Sequence, residues 1–228
     1  MKLRLIIFIA ASMTISLVSC SKKEISSDTN IIFLHHSTGS IIWNGRPPSF
    51  FKKVAGRISS GLGDKVGNKG HLPSLLKKYN KENGKDYLIK EQAFPKAAPY
   101  GWNNFPYDYY NIWVKNAGAK PFMDEPTLEL LTKDYHVIIF KHCFPVCYIQ
   151  EDQDSADINS DLKTSANYML QYAALRDKLH EFPNTKFILF TGAAQVQNNI
   201  SDEAAKRAYK FFGWVRDKWD IPNDNIYL

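Results

Sequence analysis

The sequence predicts an α/β fold, a three-layer sandwich with a mostly parallel five-stranded sheet, and two observations predict it. Short apolar runs of strand length recur along the chain, and segments of helical periodicity separate them. Strands that alternate with helices pair in parallel through right-handed crossovers, which brings helices onto both faces of the sheet.

The first strand is Ile31-Ile32-Phe33-Leu34, running directly into His35-His36-Ser37, and a helix follows over Leu72 to Asn83. Asp86 to Phe94 holds Tyr87-Leu88-Ile89 among polar residues, so this second strand is expected near an edge. Helical patterning returns over Tyr107 to Asn116 and Pro126 to Lys133. Val137-Ile138-Ile139-Phe140 and Phe187-Ile188-Leu189-Phe190 are apolar without alternation, the mark of central strands buried on both faces, and a helix over Leu162 to Glu181 joins them. The last helix, Asp202 to Trp219, carries the stripe Ala205, Ala208, Phe212, Val215 and Trp219 at spacings of three and four. Ser201 supplies its cap, and Asp202 with Glu203 suits the positive end of the helix dipole. Asn225-Ile226-Tyr227-Leu228 starts a fifth strand, and no internal repeat or second domain is visible.

Residues 1–19 have the form of a signal peptide. Lys2 and Arg4 precede the apolar run Leu5 to Ala11, and a weaker apolar stretch follows to Val18. That core is shorter than the roughly 20 residues a membrane span needs and matches the hydrophobic region of an export signal. Leu17-Val18-Ser19-Cys20 resembles the lipobox of bacterial lipoproteins, which implies a lipid on Cys20 after cleavage behind Ser19. Plain signal cleavage is the alternative. Residues 20–30 then read as a polar tether and 31–228 as one domain. Ser21, directly after the Cys, is not an Asp, and by resemblance to Gram-negative sorting rules this implies the outer membrane.

With Lys2 and Arg4 removed, 27 basic residues face 23 acidic ones, a formal charge of +4. The two signs are interspersed, so the balance favours solubility and gives no nucleic-acid track. Cys143 and Cys147, four apart with Pro145 between them, are either a small disulfide loop in an oxidising compartment or two buried small hydrophobes.

In sheets of this class, ligands sit beyond the carboxyl ends of the strands, where strand order reverses. That rule selects His35-His36-Ser37-Thr38-Gly39, Ala98 to Asn104, Lys141 to Pro145, and Thr191 to Gln195. A Ser at a strand-to-helix turn is either a helix cap or a nucleophile whose neighbouring backbone amides face an oxyanion. His35 and His36 point to opposite sides of an extended chain, so at most one faces the crevice. His142 is a base for Ser37, an oxyanion donor, or a strand-end hydrogen-bonder.

The chain from Ile31 to Leu228 resembles the SGNH/GDSL hydrolase superfamily, whose fold is flavodoxin-like. The resemblance implies Ser37 as nucleophile and Gly101 or Asn103 as the oxyanion donor of the second block. Where that superfamily has Gly-Asp-Ser, this chain has His35-His36-Ser37, and Lys141-His142-Cys143-Phe144 replaces its third block. Its closing Asp-x-x-His does not occur before Leu228, so the domain is expected to lack its C-terminal catalytic segment, with His142 the internal candidate for the base.

The remaining features carry less. The histidines and Cys143 show no paired metal-ligand spacing, so no metal or other cofactor is expected. Gly61, Gly63, Gly67 and Gly70 lack both a preceding apolar strand and a Gly-Lys-Ser/Thr, and read as surface loop. In the aromatic stretch from Tyr100 to Trp113, Tyr100 and Trp102 flank Gly101 and suit stacking on a sugar, whereas the rest suit core packing. Two functions follow as expectations: an esterase or carbohydrate deacetylase acting on an acylated glycan, and a non-catalytic carbohydrate-binding lipoprotein of the same fold. Both would meet the membrane through the lipid.

Overall fold

The computed structural model describes residues 29–36, 38–45, 70–96, 101, 103–142, 144–193 and 195–228. The signal segment, Cys20, Ser37, most of the glycine-rich stretch, Tyr100, Trp102 and Cys143 lie outside the described residues.

Five strands form one sheet: β1 (Thr29–His35), β2 (Tyr87–Ala93), β3 (Val137–Lys141), β4 (Lys186–Phe190) and β5 (Ile226–Tyr227), in the order β2-β1-β3-β4-β5. Every pairing is parallel, with Ile31 opposite both Ile89 and Val137, Val137 opposite Lys186, and Phe187 opposite Ile226. The α/β class and the five-stranded sheet are as the periodicity predicts, and the order is that of a flavodoxin-like sandwich. β1 begins two residues before the expected Ile31, within the stretch read as tether. Asn30 is held there by distant groups: its N–H donates to His136 Nδ1 at 3.1 Å and its side-chain amide to the Asp134 carbonyl at 3.2 Å.

Helices α1 (Thr38–Asn44) and α2 (His71–Asn83) join β1 to β2, and Gly84 ends α2 at φ +62°. After β2 come α3 (Pro106–Tyr110), extended by a π-helical turn (Asn111–Lys115), and α4 (Leu128–Asp134). Helix α5 (Ser165–His180) joins β3 to β4 and α6 (Asp202–Trp219) joins β4 to β5. Ser201 caps α6 as predicted, its Oγ accepting the Ala204 N–H at 3.2 Å. The buried stripe of α6 is Ala208, Phe211, Val215 and Trp219, with Phe212 only half-buried and Ala205 exposed, so the helix keeps three of the predicted positions but is turned by a fraction of a residue, enough to seat Phe211 in place of Phe212.

One face of the sheet, carrying Ile32, Leu34, Phe94, Ile138, Phe140, Phe187 and Leu189, packs into a single apolar core with α3 to α6. The other face corrects the expectation that β3 and β4 are buried on both sides. Val137, Ile139 and Ile188 are half-buried there and Phe190 is 39% exposed. Among the described elements only α1 and α2 lie on that side, and they cover β1 and β2, where Tyr79 of α2 stacks on Tyr87.

Candidate functional site

β1 and β3 are neighbours in the middle of the sheet, and the chain leaves them toward opposite edges. The crevice beyond their carboxyl ends is therefore the switch point of this fold. His35 and His36 reach it from β1, Thr38 from the first turn of α1, Lys141 and His142 from β3, and Gly101, Asn103 and Asn104 from the loop after β2.

The two histidines of β1 diverge as strand geometry requires. His35 packs on Phe33, ring centroids 4.4 Å apart, and its Nε2 lies 3.0 Å from Glu91 Oε2. Burial lowers its pKa, and Glu91 pulls the other way. Position 39 has to be glycine, because a Cβ there would lie 2.2 Å from His35 Cγ. His36 turns to the loop after β2 and donates from Nε2 to the Pro95 carbonyl.

Lys141 and His142 diverge in the same way. His142 shares the face of Phe140 and is buried between Tyr109 and Tyr172, ring centroids 4.5 and 5.5 Å away. Its Nδ1 lies 3.2 Å from the Asn104 carbonyl, an acceptor, so Nδ1 carries the proton; Nε2 is buried with no hydrogen-bond partner among the described residues. Burial pushes its pKa down to about 3. A base that weak takes up little proton near neutrality, and its only N–H is committed to Asn104. Of its three predicted roles, this geometry fits the strand-end hydrogen-bonder and disfavours the base for Ser37 and the oxyanion donor. Lys141 turns to the opposite face. It is buried, and its Nζ donates to Thr38 Oγ1 at 2.6 Å and to the His142 carbonyl at 2.8 Å.

The loop after β2 is organised by groups that sequence reasoning missed. Asn104 is buried at φ +62°, a conformation asparagine tolerates better than most residues. Its amide donates to the Phe94 carbonyl at 2.7 Å and to Tyr109 Oη at 3.0 Å, and Tyr109 Oη donates on to the Lys141 carbonyl at 3.3 Å. This chain of bonds ties the end of β2 to the end of β3. Asp108 accepts the N–H groups of Asn103 and Phe105 at 2.8 and 3.1 Å; its burial raises its pKa, while those N–H groups hold it down. The predicted Asn103 is exposed and its backbone N–H is spent on Asp108, so that donor is not free for an oxyanion. Gly101 is exposed at φ +76°. Of the aromatics expected to pack the core, Phe105, Tyr109, Tyr110 and Trp113 do so, while Tyr107 is only half-buried.

Cys147 carries a free, buried thiol that donates to the Ala193 carbonyl at 3.2 Å, and burial pushes its pKa up to about 11, so it is not a reactive thiolate. It lies on the wall of an apolar cavity of about 610 Å³ between Gly192, Ile200 and Phe212. Among the described residues no group of three His, Cys, Asp or Glu side chains is placed to share a metal ion, and no helix is long and apolar enough to cross a membrane. Compared with family models, with curated proteins and with solved structures, the chain finds no match in any of the three.

Proposed function

We propose that this protein is an SGNH-like ester hydrolase, of the carbohydrate esterase or deacetylase kind, with Ser37 as its nucleophile. The observation that carries this reading is the strand order, which sets the β1–α1 turn, where Ser37 stands between His36 and Thr38 in the chain, at the switch point against β3. Parallel α/β sheets do their chemistry at that point, and a helix-opening turn offers backbone amides to an oxyanion. Gly101, with no side chain and an exposed backbone, remains the second donor of this reading. An acylated glycan is the substrate class, held through Tyr100 and Trp102.

A fluorophosphonate probe, which labels activated serines, tests this on the full chain. Labelling should map to Ser37 by peptide mass spectrometry and vanish in Ser37→Ala, together with hydrolysis of acetylated glycans. A wild-type protein that takes no label and releases no acetate would remove the hydrolase reading. The withdrawal of His142 into the core favours the second reading, a non-catalytic carbohydrate-binding lipoprotein, and retention on immobilised glycans without labelling is its signature.

In either case we propose that Cys20 carries the lipid and holds the protein at the outer membrane. Cys20→Ala should abolish incorporation of a palmitate analogue and move the protein out of the membrane fraction. Label retained in that variant would sink the anchor.

A further inference from the structure

We infer that the cavity between α6 and the turn after β4 is a binding site for an ionised fatty acid, its chain lying along α6 and its carboxylate at Arg216. The site does not depend on the hydrolase reading above. Two glycines line the cavity, and they are glycine for different reasons. At Gly192 a Cβ would lie 2.2 Å from the ring of Phe212 and 2.8 Å from Cys147 Sγ, so close packing requires that residue. At Gly213, inside α6, a Cβ would meet nothing within 4 Å. A glycine inside a helix destabilises it relative to alanine, and packing does not ask for one here. What the missing side chain provides is room in the cavity.

The occupant follows from shape and charge. A volume of about 610 Å³ falls within the range of small-molecule pockets. The α6 wall runs from Ala205 to Arg216, which at 1.5 Å per residue is about 16 Å, so the ligand is elongated. Ala205 and Phe212, apolar positions that the core leaves uncovered, both stand on that wall, and Ile200 closes it. Tyr209 lines the cavity yet is 81% exposed, so the opening to solvent lies beside it. Arg216 is the one charged side chain among the described lining residues. Among the described residues its guanidinium meets only its chain neighbour Asp217, through Nε and Nη2, and the two side chains are 68% and 61% exposed. Nη1 is left for a ligand carboxylate. An apolar tail with an anionic head satisfies the wall and the arginine together.

The experiment measures decanoate binding to the full chain by calorimetry and locates the ligand with a diazirine-bearing decanoate, photolysed and mapped by peptide mass spectrometry. Decanoate should bind more tightly than decanol, and label should fall on Thr191 to Ala193 or on Ala205 to Arg216. Gly213→Leu places a side chain where no atom stands within 4 Å. It should weaken decanoate at least about tenfold, the equivalent of two displaced methylenes, while circular dichroism and Tm stay at or above those of wild type. Arg216→Gln should cost about fivefold, the upper range for an exposed ion pair, and erase the preference over decanol. Where Gly213→Leu fails to fold, the label map on wild type and the Arg216→Gln comparison decide the matter. A folded wild type that binds no decanoate, label outside those two segments, no preference over decanol, or a folded Gly213→Leu within twofold of wild type would each overturn the site. A wild-type dimer that Gly213→Leu converts to monomer, with decanoate excluded, would give the cavity to a second copy instead.

Discussion

Trp113→Ala is expected to cost about 3–5 kcal/mol of folding stability, the usual range for deleting a buried aromatic, and to dismantle the site with it. The Trp113 ring is fully buried, stacked on Phe94 with centroids 4.9 Å apart and edge-on to Tyr109 and Phe140 at 5.0 and 5.4 Å. Its Nε1 donates to the Pro126 carbonyl at 3.0 Å, so truncation also strands an acceptor, which adds about 1–3 kcal/mol if no water reaches it. Domains of this kind hold only about 5–15 kcal/mol in total. A urea titration followed by circular dichroism should therefore show a midpoint far below that of wild type, with much of the chain unfolded in buffer. Trp113→Phe keeps an aromatic ring against Phe94 and should lose much less. A Trp113→Ala chain within about 1 kcal/mol of wild type would show that this cluster is not what joins α3 to the ends of β2 and β3.

The parts of this fold that local pattern controls were legible. Helix α6 begins and ends where the Ser201 cap and the amphipathic stripe place it, because both signals act within a few residues. Its rotation was not legible: Phe211 and Phe212 are adjacent and equally apolar, and only the partners Tyr168 and Tyr172, waiting on α5, select Phe211 for the core. Thr29 and Asn30 look like tether because they are polar, but Thr29 pairs with Tyr87 of β2 and Asn30 is held by bonds to residues more than 100 positions away. The apolar runs of β3 and β4 mislead in the opposite direction, since hydropathy does not tell which face a helix will cover.

At the strand ends, the topology rule marks which loops to inspect, and strand parity then divides their side chains between the two faces of the sheet. Lys141 and His142 are consecutive, so whichever of them follows Phe140 onto the α3–α5 face excludes the other. Alternation from Ile138 through Phe140 gives that face to His142, and this much was available from the sequence. Asn104 was beyond reach, because its value lies in a backbone conformation and in three bonds to atoms brought together only by folding.

His142 makes acid stability a measure of this geometry. The ordinary imidazole pKa is 6.5, and burial takes that of His142 down to about 3. Above pH 6.5 the folded and unfolded chains both hold a neutral ring and nothing is lost. Below that value the unfolded chain binds a proton that the folded chain refuses, so stability falls until about pH 3 and then levels off. At pH 4.5 the unfolded ring is two units below its pKa, which corresponds to about 2.7 kcal/mol. His35, whose pKa is also lowered, acts in the same direction, whereas the raised carboxyls of Asp108 and Glu125 act oppositely, binding protons more readily when folded. The comparison that isolates His142 is wild type against His142→Phe, which keeps a ring between Tyr109 and Tyr172 and gives up the bond to the Asn104 carbonyl. That bond costs the variant a similar amount at both pH values. Urea unfolding at pH 7 and pH 4.5 should show the variant losing about 2–3 kcal/mol less than wild type on acidification. Equal losses would mean that the ring is protonated in the folded chain at pH 4.5, and hence that it is not enclosed between α3 and α5.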